Sequence, residues 1–231
     1  AAKTQPGGGG INVARVLSRL NQATSELCTA VYPVGGLTGQ LLEQALSTEP
    51  LINCPIKVNG DTRQAFSVHE TTTGHDFRFL LPGAHLNEQE WTACLDKILS
   101  LTQQGDTVVA SGSLPPGVPD NIFATLAYAL KNKGARLVVD SSGVPLKLAL
   151  EAGVHLVKPS LRELEELTGK SLEDETQWRA AAIGLVETGK AQIVALSLGD
   201  AGAFVATASQ TFRAQAIPIE IVTTVGAGDN F

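Results

Sequence analysis

Apolar, β-rich runs alternate with amphipathic, helix-spaced runs along most of this 231-residue chain, with short connections between them. "CTAVYPV" (28–34) reads as a strand and "GGLTGQLLEQAL" (35–46) as a helix capped at Thr38. "NEQEWTACLDKIL" (87–99) reads as a helix opened by an Asn87-x-x-Glu90 capping box, with Trp91, Leu95, Ile98 and Leu99 as its apolar stripe. Strands at 106–113, 136–140, 155–159 and 192–199 then alternate with helices at 119–134, 144–153, 160–169 and 174–189. Such a rhythm implies an α/β fold, a mostly parallel sheet with helices on both faces. In sheets of that kind ligands bind beyond the carboxyl ends of the strands.

One region breaks the rhythm. "TRQAFSVHETTTGHDFRFLLPG" (62–83) reads as two strands around a "TTTG" turn, a hairpin inserted into an otherwise single α/β domain spanning 1–231. A hairpin so placed serves as a lid or as a dimer edge.

Composition excludes several classes. The net charge is −6 with no Lys/Arg-rich block, which argues against nucleic acid as a partner. No apolar run approaches the roughly 20 residues needed to cross a bilayer, and no signal-peptide pattern is present. Cys28, Cys54 and Cys94 are odd in number and widely spaced, suggesting neither a disulfide framework nor a zinc site but buried thiols in a reducing cytoplasm. The chain has no methionine and stops at Phe231 just after what reads as a helix entrance, so the expectation is a portion of a longer protein.

Four consecutive glycines in "PGGGGINVAR" (6–15) precede a helix-spaced run, Ile11, Ala14, Val16, Leu17 and Leu20. Glycine costs about 0.5–1 kcal/mol relative to Ala in regular structure, so the run is either a flexible linker or bare backbone against which a small polar or anionic ligand lies. Small polar residues recur at the strand ends: Ser111, Gly112 and Ser113; Asp140, Ser141 and Ser142; Lys158; Ser197 and Gly199. Strand-to-loop junctions favour such residues anyway, but their recurrence at four edges suits a ligand crevice.

"TTVGAGDNF" (223–231) is the sharpest motif. Gly226, Ala227 and Gly228 offer successive amides with almost no side-chain bulk at a helix start, an arrangement that binds phosphate. Asp229 reads either as a helix cap or as a base that accepts a proton from a hydroxyl attacking phosphorus. Rival phosphate motifs fail. The Walker pattern around Gly169-Lys170-Ser171 has Leu164 at its first glycine position, and the dinucleotide fingerprint at 7–12 ends in Asn12.

"PGGGGINVAR", "SGSLPPG", "VDSSG", "LVKPS" and "TVGAGDNF", in this order, resemble the PfkB family of sugar kinases in the ribokinase superfamily, along essentially the whole chain. The resemblance implies a ribokinase-like three-layer sandwich with a β-hairpin lid. It implies a cytoplasmic enzyme that phosphorylates a sugar phosphate with ATP and Mg²⁺ and forms a homodimer through the lid. Fructose 6-phosphate is the implied acceptor. Tagatose 6-phosphate and fructose 1-phosphate are the alternatives, although kinases for those sugars more often carry a lysine in the glycine run. A sensor that binds the sugar phosphate without catalysis is a more remote reading.

By the same resemblance, Asp229 is the base and Gly226, Ala227 and Gly228 hold the transferred phosphoryl group. Gly8, Gly9, Asn12 and Ser113 face the sugar, Arg63 clamps its phosphate, and Arg78 on the return strand is a second candidate. Lys158, Ser160, Ser197, Gly199, Gly202 and Thr224 fall where the family binds nucleotide, and Glu163 where it places Mg²⁺. Position 160 departs from the family's Asn-x-x-Glu form, and Ser160-x-x-Glu163 equally matches a capping box. His69, His75, His85 and His155 match no catalytic position and read as surface or loop residues.

Overall fold

The computed structural model describes residues 5–20, 28–73 and 75–217, with the side chains of His69, Asp76 and Arg78 left aside. Its elements run α1 (Gly9–Leu20), β1 (Thr29–Val34), α2 (Gly36–Leu46), β2 (Ile52–Lys57), β3 (Ala65–His69), β4 (Asp76–Leu80), α3 (Glu88–Leu101), β5 (Thr107–Ser111) and α4 (Ile122–Asn132). There follow β6 (Arg136–Asp140), α5 (Gly143–Ala152), β7 (Val154–Val157), α6 (Leu161–Thr168), α7 (Glu175–Glu187), β8 (Ala191–Ser197), β9 (Ala203–Thr207) and β10 (Thr211–Ala214).

A six-stranded sheet in the order β10-β9-β8-β7-β6-β5 organises the molecule. β5 to β8 are parallel, each joined to the next through helices, whereas β9 and β10 turn back antiparallel at one edge. The crossover helices α4, α5, α6 and α7 pack in succession on the sheet. Val139, Val157, Val194 and Leu196 of the strands meet Leu130, Leu146, Leu164 and Ala182 of these helices, all but sealed from water. Burying each large side chain contributes about 1.5–3 kcal/mol, so this shell fixes the strand edges on which the polar residues sit.

β1 and β2 form a separate parallel pair, and β3 and β4 the antiparallel hairpin, with Ala65 opposite Leu80 and His69 opposite Asp76. Helix α1 packs on both β1 and β5, and α3 on β1, β2 and α4, which ties the parallel pair to the main sheet. No helix among the described residues is long and apolar enough to cross a membrane.

The structure departs from the sequence expectations at several points. β2, β9 and β10 were not anticipated: Pro55 interrupts the first, and the other two are only five and four residues long. Thr38 does not cap α2; Gly35 does, and the Thr38 hydroxyl donates instead to the Thr62 carbonyl at 2.7 Å. The buried stripe of α1 is Ile11, Ala14 and Ser18, while Leu17 and Leu20 face outward. All three cysteines are half-buried instead of buried.

Candidate functional site

The glycine run opens α1 against the end of β5. A Cβ on Gly9 would lie 2.2 Å from Ser111 Oγ, and Gly8 has φ of 114°, in the region that favours glycine. The Asn12 N–H donates to the Gly8 carbonyl at 2.9 Å and starts the helix. A Cβ on Gly7 or Gly10 would meet nothing within 4 Å. Gly9 therefore allows a close approach and Gly8 a left-handed backbone, and Gly7 and Gly8 are exposed.

Three strand edges are wired together beside it. Ser111 Oγ donates to Asp140 Oδ2 at 3.3 Å, and Asp140 Oδ1 pairs with Lys158 Nζ at 3.1 Å. Both partners of that ion pair are largely buried, at 14% and 19% exposure, so water screens it only partly. The Ser141 hydroxyl donates to the Gly112 carbonyl at 3.0 Å, and the Gly112 N–H donates to the Asp140 carbonyl at 2.9 Å. These bonds fix the turn that carries Ser113.

The hairpin is rooted by Thr62. Its N–H donates to the Gly35 carbonyl at 2.9 Å and its hydroxyl accepts the Gly35 N–H at 3.0 Å. Held there, Arg63 donates from Nη1 to Ser113 Oγ at 3.2 Å. Glu90 braces the same region from α3. Its carboxylate accepts the Asn59 N–H at 2.5 Å and the Asn87 N–H at 2.9 Å, while Asn87 Oδ1 returns the capping bond. Those backbone donors, Asn59 first, hold the Glu90 carboxyl below the usual carboxylate range. Behind the glycine run, Arg15 reaches Glu49 at 2.5 Å, and this bond chiefly keeps Glu49 below its ordinary value.

On the far side of Lys158, the Ser197 N–H donates to the Pro159 carbonyl at 2.9 Å, and Ser160 and Ser197 form a parallel bridge. Ser160 and Glu163 make a reciprocal capping box: the Ser160 N–H and hydroxyl donate to Glu163 Oε2 at 2.8 and 2.9 Å, and the Glu163 N–H returns to Ser160 Oγ at 3.3 Å. Gly199, at φ of 60°, opens a 3-10 turn (Gly199–Ala201) into open space. Gly202 is enclosed, since a Cβ there would lie 2.2 Å from the Ala214 carbonyl oxygen.

Among the described residues no group of three or more His, Cys, Asp or Glu side chains is arranged to hold a metal. Mg²⁺ keeps several waters and takes only one or two carboxylates besides substrate phosphates. A capping Glu163 with one carboxylate oxygen engaged fits such an outer role.

Of the sequence candidates, Gly8, Gly9, Asn12, Arg63 and Ser113 converge at the β5 end, and Lys158, Ser160, Glu163, Ser197, Gly199 and Gly202 line the β7 and β8 ends. Thr224, Gly226, Ala227, Gly228 and Asp229 lie outside the described residues, as does the side chain of Arg78. Asp140 was noted among the strand-end polar residues but given no role, and Thr62 was not singled out. A carboxylate ending one strand, followed by a lysine just past the next, was the available signal for the Asp140–Lys158 pair.

Residues 1–231 match the family model "pfkB family carbohydrate kinase". The chain belongs to the pfkB family. It is 40% identical over 229 residues to ATP-dependent 6-phosphofructokinase isozyme 2 of Mycobacterium tuberculosis, covering 99% of this chain and 66% of that protein. The chain thus spans just under two thirds of that relative's length. Among solved structures it resembles phosphofructokinase-2 from Escherichia coli in complex with substrates and products (TM-score 0.92, 38% identity, 100% of this chain and 74% of that one). It is also similar to the tetrameric inhibited form of the same protein (TM-score 0.90, 38% identity, 98% and 73%).

The mostly parallel sheet with its crossover helices is the ribokinase-like α/β architecture of these pfkB kinases, consistent with a three-layer sandwich. The edge wired by Ser111, Asp140 and Lys158 lies at the carboxyl ends of the parallel strands of this pfkB fold.

Proposed function

We propose that this chain carries the catalytic machinery of an ATP-dependent sugar-phosphate kinase that converts fructose 6-phosphate to fructose 1,6-bisphosphate. The observation that carries the reading is the placement of Arg63 on Ser113 at the β5 end, next to the exposed backbone of the glycine run. A guanidinium there, with its fork of donors, suits the phosphate of a bound sugar. Gly8, Gly9, Asn12 and Ser113 would meet the sugar, with Arg78 a second phosphate ligand. The all-glycine run and the 40% identity to a 6-phosphofructokinase favour fructose 6-phosphate as acceptor.

In the reaction, the C1 hydroxyl oxygen of fructose 6-phosphate forms a bond to the γ-phosphorus of ATP. Its proton passes to the Asp229 carboxylate, the bond between that phosphorus and the bridging oxygen breaks, and ADP leaves. The amides of Gly226, Ala227 and Gly228 stabilise charge on the transferred group. Lys158, Ser160, Ser197, Gly199, Gly202 and Thr224 hold the nucleotide, and Glu163 would hold Mg²⁺ through its water. Bound Mg²⁺ supplies charge neutralisation on the phosphates. Lys158, kept in place by Asp140, orients the nucleotide toward the sugar.

The hairpin acts as a lid that excludes water. Phe66 and Val68 of β3 lie opposite Phe79 and Phe77 of β4, and these side chains are 46–56% exposed. A second copy of the chain covers this apolar face in a homodimer, in the reducing cytoplasm that suits three thiols. Asp229→Asn in the full-length protein tests the assignment. Turnover falls at least a thousandfold while fructose 6-phosphate and ATP still bind; near-normal turnover would remove Asp229 as the base.

A further inference from the structure

Arg213 belongs to none of the motifs above, yet its guanidinium engages three backbone carbonyls. Nη2 donates to Ala201 at 2.7 Å, and Nη1 donates to Ala203 at 3.1 Å and also to Ala214. Ala201 closes the 3-10 turn that Gly199 opens, and Ala203 begins β9. The same guanidinium stands 5.8 Å from the centre of the Trp178 ring, whose edge packs on the buried Phe204 at 5.3 Å.

Within the turn the bonds are short and local: Leu198 N–H to the Gly202 carbonyl, Ala201 N–H to Leu198 and Gly202 N–H to Gly199. A Cβ on Gly199 would meet nothing within 4 Å, whereas the Gly202 end abuts the β10 backbone that Arg213 also grips. Arginine offers a planar fork that reaches two carbonyls at once and stacks on an aromatic ring; lysine can do neither as well. Arg213 thereby joins the turn to β10 and to the α7 core beneath it.

We propose that Arg213 is a positioning residue for the nucleotide: it holds the Gly199–Ala201 turn in the shape that receives ATP, without touching the reacting atoms. This rests on the kinase reading above. A tethered turn is already ordered when the nucleotide arrives, and an untethered one must be ordered on binding. The loss on removing Arg213 therefore falls on nucleotide affinity and spares the sugar site at the β5 end.

The test is full-length protein carrying Arg213→Ala or Arg213→Lys, with ATP titrated in the presence of Mg²⁺ and steady-state kinetics run for both substrates. Arg213→Ala raises the ATP Kd and KM about fivefold to tenfold, leaves KM for fructose 6-phosphate within twofold and keeps kcat near wild type; Arg213→Lys recovers part of the loss. Unchanged ATP affinity in Arg213→Ala, or an equal weakening of both substrates, overturns the proposal. The titration separates the two readings. If wild-type protein binds ATP but phosphorylates no sugar phosphate, the kinase reading fails while the Arg213 effect on ATP affinity still stands or falls by itself.

Discussion

Arg63 at the root of the hairpin donates to Ser113 at the end of β5, at 3.2 Å across 50 positions of sequence. The contact joins the inserted hairpin to the edge of the main sheet. A charge-assisted hydrogen bond contributes about 1.5–3 kcal/mol, which corresponds to roughly a 10- to 100-fold change in an equilibrium constant. Arg63→Ala should raise KM for fructose 6-phosphate by about that factor and leave KM for ATP within twofold. Steady-state kinetics with each substrate varied in turn checks it, and an unchanged sugar-phosphate KM would take Arg63 out of the site.

Gly199 and Gly202 flank the same turn but differ in what surrounds them. Gly202 has φ of 95° and its missing Cβ would collide with the Ala214 carbonyl and the Ala216 nitrogen, whereas Gly199 at φ of 60° faces open space. Gly202→Ala should cost about 3 kcal/mol of stability, through strain and displaced backbone together. Gly199→Ala should cost about 1 kcal/mol, from its left-handed conformation alone. Chemical denaturation of both variants measures the gap, and equal losses would contradict it.

Glu90 gives the hairpin root an acid sensitivity. The Asn59 and Asn87 N–H groups hold its carboxyl below the ordinary range, so its contribution is fully present above the unfolded-state value. It is lost as pH falls through the depressed folded-state value. Glu90→Gln should therefore destabilise the protein at neutral pH, and the gap from wild type should shrink below about pH 4. Denaturation midpoints at both pH values are the measurement; a gap that widens on acidification would mean that Glu90 is held in its neutral form.

What could be read from the sequence was local. Asn87 with Glu90 and Ser160 with Glu163 form their capping boxes within four residues, and the structure shows both. Thr38 looked equally like a cap, but Thr62, 24 residues away, claims its hydroxyl. β9 and β10 are only five and four residues long, and their strand character shows once β9 pairs antiparallel along β8 and β10 along β9. In the same way, Ser113 and Arg63 could each be picked out by motif and position, whereas their contact needed the hairpin to fold back. The link from Asp140 to both Ser111 and Lys158 likewise exists only once three parallel strands are in register. Arg213 stayed unnoticed because its partners are backbone carbonyls, which no sequence pattern displays.

The most direct test of the kinase reading offers the full-length protein ATP and Mg²⁺ with fructose 6-phosphate, tagatose 6-phosphate, fructose 1-phosphate and fructose side by side, following ADP release. The account predicts the highest kcat/KM for fructose 6-phosphate, with fructose 1,6-bisphosphate as the product. A higher value for either of the other sugar phosphates would contradict the substrate assignment, and no ADP release with any of the four would contradict the kinase itself.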